Sequence, residues 1–494
     1  ASNHPDRPAL LTPDGEEWTF GQVHESARRV ARLLQPAVKR GDRVLFMAPN
    51  SPAYATAIYG AMMAGATAVP LNPLFKPDEL RRVMSETEPA AAFISRDVEP
   101  LVNSLRRDAP SLRFVQILET LWDDLEGAGG ATPVTLDPRM DIAALPFSSG
   151  TTGVPKGVML SHFNLVANVR QTLATGMTPP YNTLLNYMPF FHVYGFASLM
   201  GMAFAMAIPQ VIISRFDPEL ILRLAAKHGV HTLYAPPPAL RALLGVKRAA
   251  GLPTPSVRVI VTGAAPTPPD LARDAEDAFG APVCQPYGLS EATAATNMNP
   301  LHRIKPATVG PPLPDTEEQI VDPETGAALP LGSVGEVWVR GPQVMLGYWR
   351  RPDATAECIT PDGWLRTGDL GKLDDDGYLQ IVDRLKDMIR YKGHQVAPFE
   401  LEAILLDHPA VADVCVIPKA DIEAGEIPKA CVVLKPGAAV AAEALAAFVA
   451  ERVNPMSRVR EVEFVDAIPR NPSGKVLRRE LIERERARAS QQVS

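Results

Sequence analysis

Cysteine is scarce in this chain. Four occur among 494 residues, at 284, 358, 415 and 431, and no two are spaced as a metal-ligand pair or as part of a secreted disulfide framework. A reducing cytoplasm is the expected setting. Basic excess is missing as well: the net charge of −7 argues against a general nucleic-acid binder. The first residues show no charged-then-apolar leader pattern, so no secretory signal is expected. Long apolar runs are almost absent. The one stretch to weigh, "FASLMGMAFAMAIPQVII" at 196–213, is mostly Ala, Met and Gly and is interrupted by Pro209 and Gln210. It predicts a helix buried between sheets and then a short buried strand, and no integral membrane span.

What is present is a chain too long for one core, with the 46% apolar and 21% charged content of an ordinary globular protein. Helix-like and strand-like runs alternate over much of the first 380 residues. Residues 20–35 have helical spacing and 41–50 read as a strand; 51–71 read as an Ala-rich helix leading into another strand, and 218–237 repeat the unit. That alternation predicts layered α/β sheets, largely parallel. Between 316 and 382 short strands with turn signals predict a β-rich subdomain. Shorter units follow, ending in a charged helix or frayed tail. The expectation is an α/β multidomain protein, with a large domain over 1–383 and a small α+β domain over 384–494.

"LPFSSGTTGVPKGVMLSH" (145–162) holds three serines, two threonines, three glycines and one lysine among apolar residues. Such backbones can turn N–H groups toward an anion while the lysine adds charge, so polyphosphate is the first candidate. The order differs from a Walker loop, since Pro155 precedes Lys156 and Gly157 follows it. A surface loop rich in turn formers is the plain alternative.

Four further regions decide the matter: "PFFHVYG" (189–195), "QPYGLSEAT" (285–293), "WLRTGDLG" (364–371) with "VDRLKDMIRYKGHQVAP" (382–398), and "NPSGKVLRREL" (471–481). With the loop, their order and spacing resemble the adenylate-forming superfamily of acyl-CoA synthetases, 4-coumarate–CoA ligases, firefly luciferases and amino-acid adenylation domains over essentially the whole chain. The resemblance implies an ATP-dependent acid–CoA ligase using ATP, Mg2+ and coenzyme A, with the small domain mobile about a hinge near 383–386. It places Ser148, Ser149, Gly150, Thr151, Thr152 and Lys156 on the β- and γ-phosphates and Glu291 on the magnesium. Gly263, Ala264 and Ala265 would line the adenine, with Tyr287 as a stacking face and Gln285, Pro286, Gly288 and Ser290 beside it. Asp369 would take the ribose hydroxyls, with Arg384 and Lys386 on the ribose or phosphate side.

By the same resemblance, Lys475 bridges the acid carboxylate and the α-phosphate, and His192 orients the acid. His192, Tyr194, Phe196, Ser198, Pro286 and Met298 would form the acid pocket. In a rotated pose Lys392 and Gly393 would flank CoA, Gln395 would approach AMP, and Arg215 would meet CoA phosphates. Two positions depart from the pattern: Arg390 stands where luciferases and 4-coumarate ligases carry lysine, and Pro286 replaces a glycine. His192 occupies the place where amino-acid-activating relatives have aspartate, which disfavours amino-acid substrates. A medium- to long-chain fatty acid is the first expectation for the substrate and an aryl or arylpropenoic acid the second. A ligase that loads a carrier protein, a luciferase-type oxygenase and a silent nucleotide-binding protein are the rival readings.

Overall fold

Thr19 starts the first helix, Phe20–Leu34, with a reciprocal cap: its Oγ1 accepts from Gln22 N–H and the Gln22 side chain accepts from Thr19 N–H. The buried positions Phe20, Val23, Ala27, Val30 and Leu34 recur at three and four residues and face the helix Pro52–Met63. That second helix is buried on nearly every side, and its alanines permit the close packing. A β-carbon at Gly60 would lie 2.5 Å from the Val30 side chain, so the two helices meet at a point only glycine allows. In this computed structural model the described residues are 3–131, 134–148, 155–392, 394–421, 423–470 and 475–492. Ser149, Gly150, Thr151, Thr152 and Gly393 of the sequence-derived site lie outside them.

The predicted layering is present. A six-stranded sheet runs in the order Leu160–Ser161, Ile142–Ala144, Thr67–Pro70, Arg43–Met47, Ala91–Ile94, Phe114–Ile117, parallel except at the Leu160 edge. A second sheet joins Leu184–Asn186, Gln210–Ile212, Pro8–Leu11 and Glu17–Thr19, and a third, all parallel, joins Thr232–Tyr234, Val259–Val261 and Val283–Cys284. The segment at 196–213 is buried at its two ends, in the π-helical turn Tyr194–Met200 and the strand Gln210–Ile212, while the helix Gly201–Met206 between them buries only Met202 and Ala203 and leaves Ala205 exposed, short of the fully buried helix expected. Among the described residues no helix is long and apolar enough to cross a membrane.

The β-rich stretch forms a four-stranded antiparallel meander, Glu317–Val321, Gly335–Arg340, Leu365–Leu373 and Leu379–Arg384. After residues 385–388 a new sheet begins, in the order His394–Val396, Ile389–Tyr391, Gly425–Leu434, Val411–Asp421, with Glu461–Phe464 parallel to Gly425–Leu434. Its own apolar core includes Ile389, Leu401, Val416, Val432 and Leu445. The charged terminal segment is a helix, Arg478–Gln492.

Candidate active site

The flanks of the phosphate-loop candidate pair with each other. Phe147–Ser148 pairs antiparallel with Lys156–Gly157, so Ser148 stands opposite Lys156 and the chain returns to the point from which it left. The Lys156 ammonium sits over the Tyr348 ring, 4.8 Å from its centre, and Tyr348 Oη donates to Glu291 Oε1 at 2.8 Å. The segment carrying Tyr348 is tied to both neighbours through the backbone. Trp349 N–H donates to Gly157 O at 2.8 Å, Leu346 N–H to Met159 O at 2.9 Å, and Met345 N–H to Glu291 O at 2.8 Å. Sequence reasoning missed Tyr348, which lay in a run read only for its strand and turn signals.

A second group surrounds Asp369, which is only 3% exposed. The antiparallel register sets Asp369 opposite Arg384, and Arg384 Nε lies 3.0 Å from Asp369 Oδ1. Tyr287 Oη donates to Asp369 Oδ2 at 2.6 Å, and burial together with that carboxylate pushes the phenol well above its ordinary range. Tyr287 reaches this place because Pro286–Tyr287 pairs with Asn297–Met298. A β-carbon at Gly263 would come 3.3 Å from Pro286 Cγ, so the proline ring fills the space beside Gly263. Ala264 holds a left-handed backbone at φ 68°, and Ala265 follows half-buried. The Gln285 side chain is committed to the fold: Nε2 donates to Pro306 O at 3.0 Å and Oε1 accepts from Thr267 N–H at 3.1 Å. Gly288 passes so close to Ala294 O that no side chain fits, and Ser290 opens the short turn that carries Glu291.

The π-helical turn presents the acid-side candidates. His192 Nδ1 accepts Tyr194 N–H at 3.2 Å, which leaves the proton of a neutral ring on Nε2. Burial, and then the Lys475 charge, pull the imidazole down to about 4. Tyr194 meets Tyr234 edge-on at 6.3 Å, and the Tyr194 hydroxyl is buried with no hydrogen-bond partner among the described residues. Ser198 and Met298 are buried nearby in sequence and in sheet register with Pro286 respectively. Phe196 departs from the expected pocket. It is 2% exposed in the core that holds Phe190, Val193 and Met200, whereas Tyr194 and Met298 pack in the core of Tyr234 and Cys284. Neighbouring positions of one helical turn simply face opposite layers.

Lys475 precedes the terminal helix yet is within electrostatic reach of His192, Arg384, Asp369, Asp387 and Glu291. Burial first, and the Arg384 charge second, bring its ammonium down to about 8, against the pull of the three carboxylates. Arg478 anchors this end, donating to Glu402 Oε1 at 2.6 Å and lying 3.7 Å from Asp387 Oδ2. Arg390, Lys392 and Gln395 are exposed on the hairpin Ile389–Val396, with Arg390 opposite Gln395 in register. Lys386 and Arg215 are also exposed, Arg215 just beyond the strand Gln210–Ile212. The structure thus gathers Lys475, His192, Glu291, Lys156, Asp369 and Arg384, and leaves the thiol-side candidates on the surface.

Comparison with known proteins shows the family. Residues 1–349 match the family model of the AMP-binding enzyme, and 400–475 match that of the AMP-binding enzyme C-terminal domain. A 4-coumarate–CoA ligase-like protein of Oryza sativa subsp. japonica is 38% identical, the alignment covering 97% of this chain and 90% of the rice protein. ATP-bound MatB from Rhodopseudomonas palustris superposes with a TM-score of 0.92 at 29% identity, covering 97% of this chain and 96% of MatB. The anthranilate CoA ligase AuaEII in complex with anthranoyl-AMP gives a TM-score of 0.91 at 26% identity, covering 99% and 96%. With both family models matched in order along one chain, this protein belongs to the AMP-binding enzyme family, the adenylate-forming acid–CoA ligases.

Proposed function

We propose that the protein converts an aryl or arylpropenoic acid to its CoA thioester in two steps. In the first, a carboxylate oxygen attacks the α-phosphorus of ATP, the bond to pyrophosphate breaks, and an acyl-adenylate forms. In the second, the CoA thiol attacks the acyl carbonyl and AMP leaves. The observation that carries the reading is Lys475, which belongs to the C-terminal unit but feels the charges of Asp369 and Glu291 in the large one and acts in turn on His192. Both reactants of the first step are anions, so a cation between them is what the chemistry requires. Neutral His192, with its proton on Nε2, orients the acid, and Arg384 and Tyr287 hold Asp369 where ribose hydroxyls would bind.

Glu291 suits magnesium. A hard cation carried on triphosphate needs one or two carboxylates rather than a protein cage, and no metal-binding cluster of His, Cys, Asp and Glu occurs among the described residues. Bound there, Mg2+ would neutralise phosphate charge as pyrophosphate departs. The hinge, expected near 383–386, falls at the junction of the two sheets, and rotation there would bring Lys392 and Gln395 to the thiol. Lys156 and the Ser148 strand bracket the phosphates.

The aryl acid displaces the fatty acid that the sequence alone put first. What supports it is the company of 4-coumarate–CoA ligases and an anthranilate ligase, and the Tyr194 hydroxyl, buried near Tyr234 with no partner among the described residues. A saturated chain would leave that hydroxyl unsatisfied; a ring bearing a polar substituent would engage it. A pyrophosphate-release screen over acids of graded length and aromaticity, followed by product analysis with CoA alone, tests both parts. Aryl acids should give the highest kcat/KM, with thioester formed. Preference for alkyl acids would overturn the substrate class, and arrest at acyl-adenylate would favour carrier-protein loading.

A further inference from the structure

Tyr348 joins two groups that act on the same ligand. Its hydroxyl donates to Glu291 Oε1 at 2.8 Å, while its ring face receives the Lys156 ammonium at 4.8 Å. Burial and the Glu291 carboxylate both hold the phenol in its protonated form, so Oη remains a donor. The residue is itself held. Tyr348 N–H donates to Thr355 Oγ1 at 2.9 Å, Val158 bridges Tyr348, and Trp349 N–H donates to Gly157 O at 2.8 Å. One strap, Met345–Trp349, therefore runs from the backbone of Glu291 to the strand Lys156–Gly157 that flanks the phosphate-loop candidate.

A lysine and a carboxylate beside a magnesium triphosphate face a shared difficulty. Their own attraction favours collapse onto each other, while the ligand requires them apart, one on phosphate oxygens and one on the cation. A tyrosine satisfies both at fixed separation, because the π face stabilises the ammonium and the edge hydroxyl stabilises the carboxylate. We propose that Tyr348 is the positioning residue that sets the distance between Lys156 and Glu291 and so tunes the site for the metal-bound β- and γ-phosphates. This rests on the functional reading above, in which those two residues meet the triphosphate.

The test compares Tyr348→Phe, which keeps the ring and loses the hydroxyl, with Tyr348→Leu, which loses both. The readouts are calorimetric ATP affinity at graded Mg2+, the ATP KM and kcat of pyrophosphate release, and thioester formation from supplied acyl-adenylate. Acyl-adenylate carries no β- or γ-phosphate, so that half-reaction reports folding without the proposed role. Tyr348→Phe should weaken Mg2+-dependent ATP binding about 10-fold and Tyr348→Leu about 100-fold, the range for groups that orient a metal ligand. Thioester formation should stay within about two-fold of wild type. Unchanged ATP affinity in both variants, or equal loss in both half-reactions, would overturn the proposal. Lys156→Ala and Glu291→Gln are run alongside. If they alter ATP binding and the Tyr348 variants do not, the positioning role fails alone. If they too leave it unchanged, the placement of the triphosphate fails and the proposal with it.

Discussion

Asp383 Oδ2 accepts the backbone N–H of Phe399 at 2.8 Å, so a carboxylate on the last strand of the antiparallel meander caps a helix that lies beyond residues 385–388. That helix, Pro398–Leu406, has no cap of its own, since Ala397 at its N-cap offers no side-chain acceptor. Burial pushes the Asp383 carboxyl up to about 6, against the two backbone N–H groups, of Phe399 and Arg384, that it accepts.

Replacing Asp383 by alanine should leave buried N–H groups unpaired and destabilise the protein by about 1–2 kcal/mol, visible as a lower Tm. Because the Phe399 bond spans the proposed hinge, pyrophosphate release should fall more than thioester formation from supplied acyl-adenylate. An unaltered melting curve with unaltered half-reactions would show that the bond holds neither the helix nor the pose.

The pH profile of adenylation follows from two displaced groups. His192 loses its proton near 4, so it is neutral above that value and cationic beside Lys475 below it. Lys475 loses its charge near 8, so the bridging cation is present below that value and lost above it. Pyrophosphate release should therefore hold between those limits and decline on either side. Measured with saturating acid and ATP, an alkaline limb near the ordinary lysine range of about 10.4 would mean that Lys475 is not the titrating group.

Lys475→Ala should cut acid-dependent pyrophosphate release by about 100-fold or more, the scale of one preorganised charge in a water-poor site. Thioester formation from acyl-adenylate should suffer far less, because the α-phosphate bond is already made. Equal losses in the two assays would remove the bridging role.

Tyr194→Phe removes a hydroxyl that has no partner among the described residues, so the unliganded protein should keep its Tm or gain slightly. Its kcat/KM should drop about 3- to 10-fold for hydroxylated aryl acids and much less for unsubstituted ones, as one hydrogen bond is lost. Equal effects on both acids would take the hydroxyl out of substrate choice.

Gly60→Ala places a methyl 2.5 Å from Val30 at the contact of two buried helices. Overpacking of this kind should cost about 1–3 kcal/mol, read by denaturant midpoint, with the ATP KM unchanged. A neutral result would mean that the helix pair can slide apart.

Much of this was written in the chain itself. Period-3.6 and period-2 runs specified helices and strands, and five motifs in register identified the family, because each motif depends on residues near one another in sequence. Contacts between distant residues were not legible. Which core Phe196 and Tyr194 each join depends on which layer packs on each side of one helical turn. Tyr348 gained its place only when the strap Met345–Trp349 paired with residues 157–159, almost two hundred positions earlier. Asp383 reads as one more acidic residue until a helix beginning fifteen residues later presents a bare N–H to it. Local propensity decided which elements form. Burial, and the need to pair every polar group that burial strips of water, decided which of them meet.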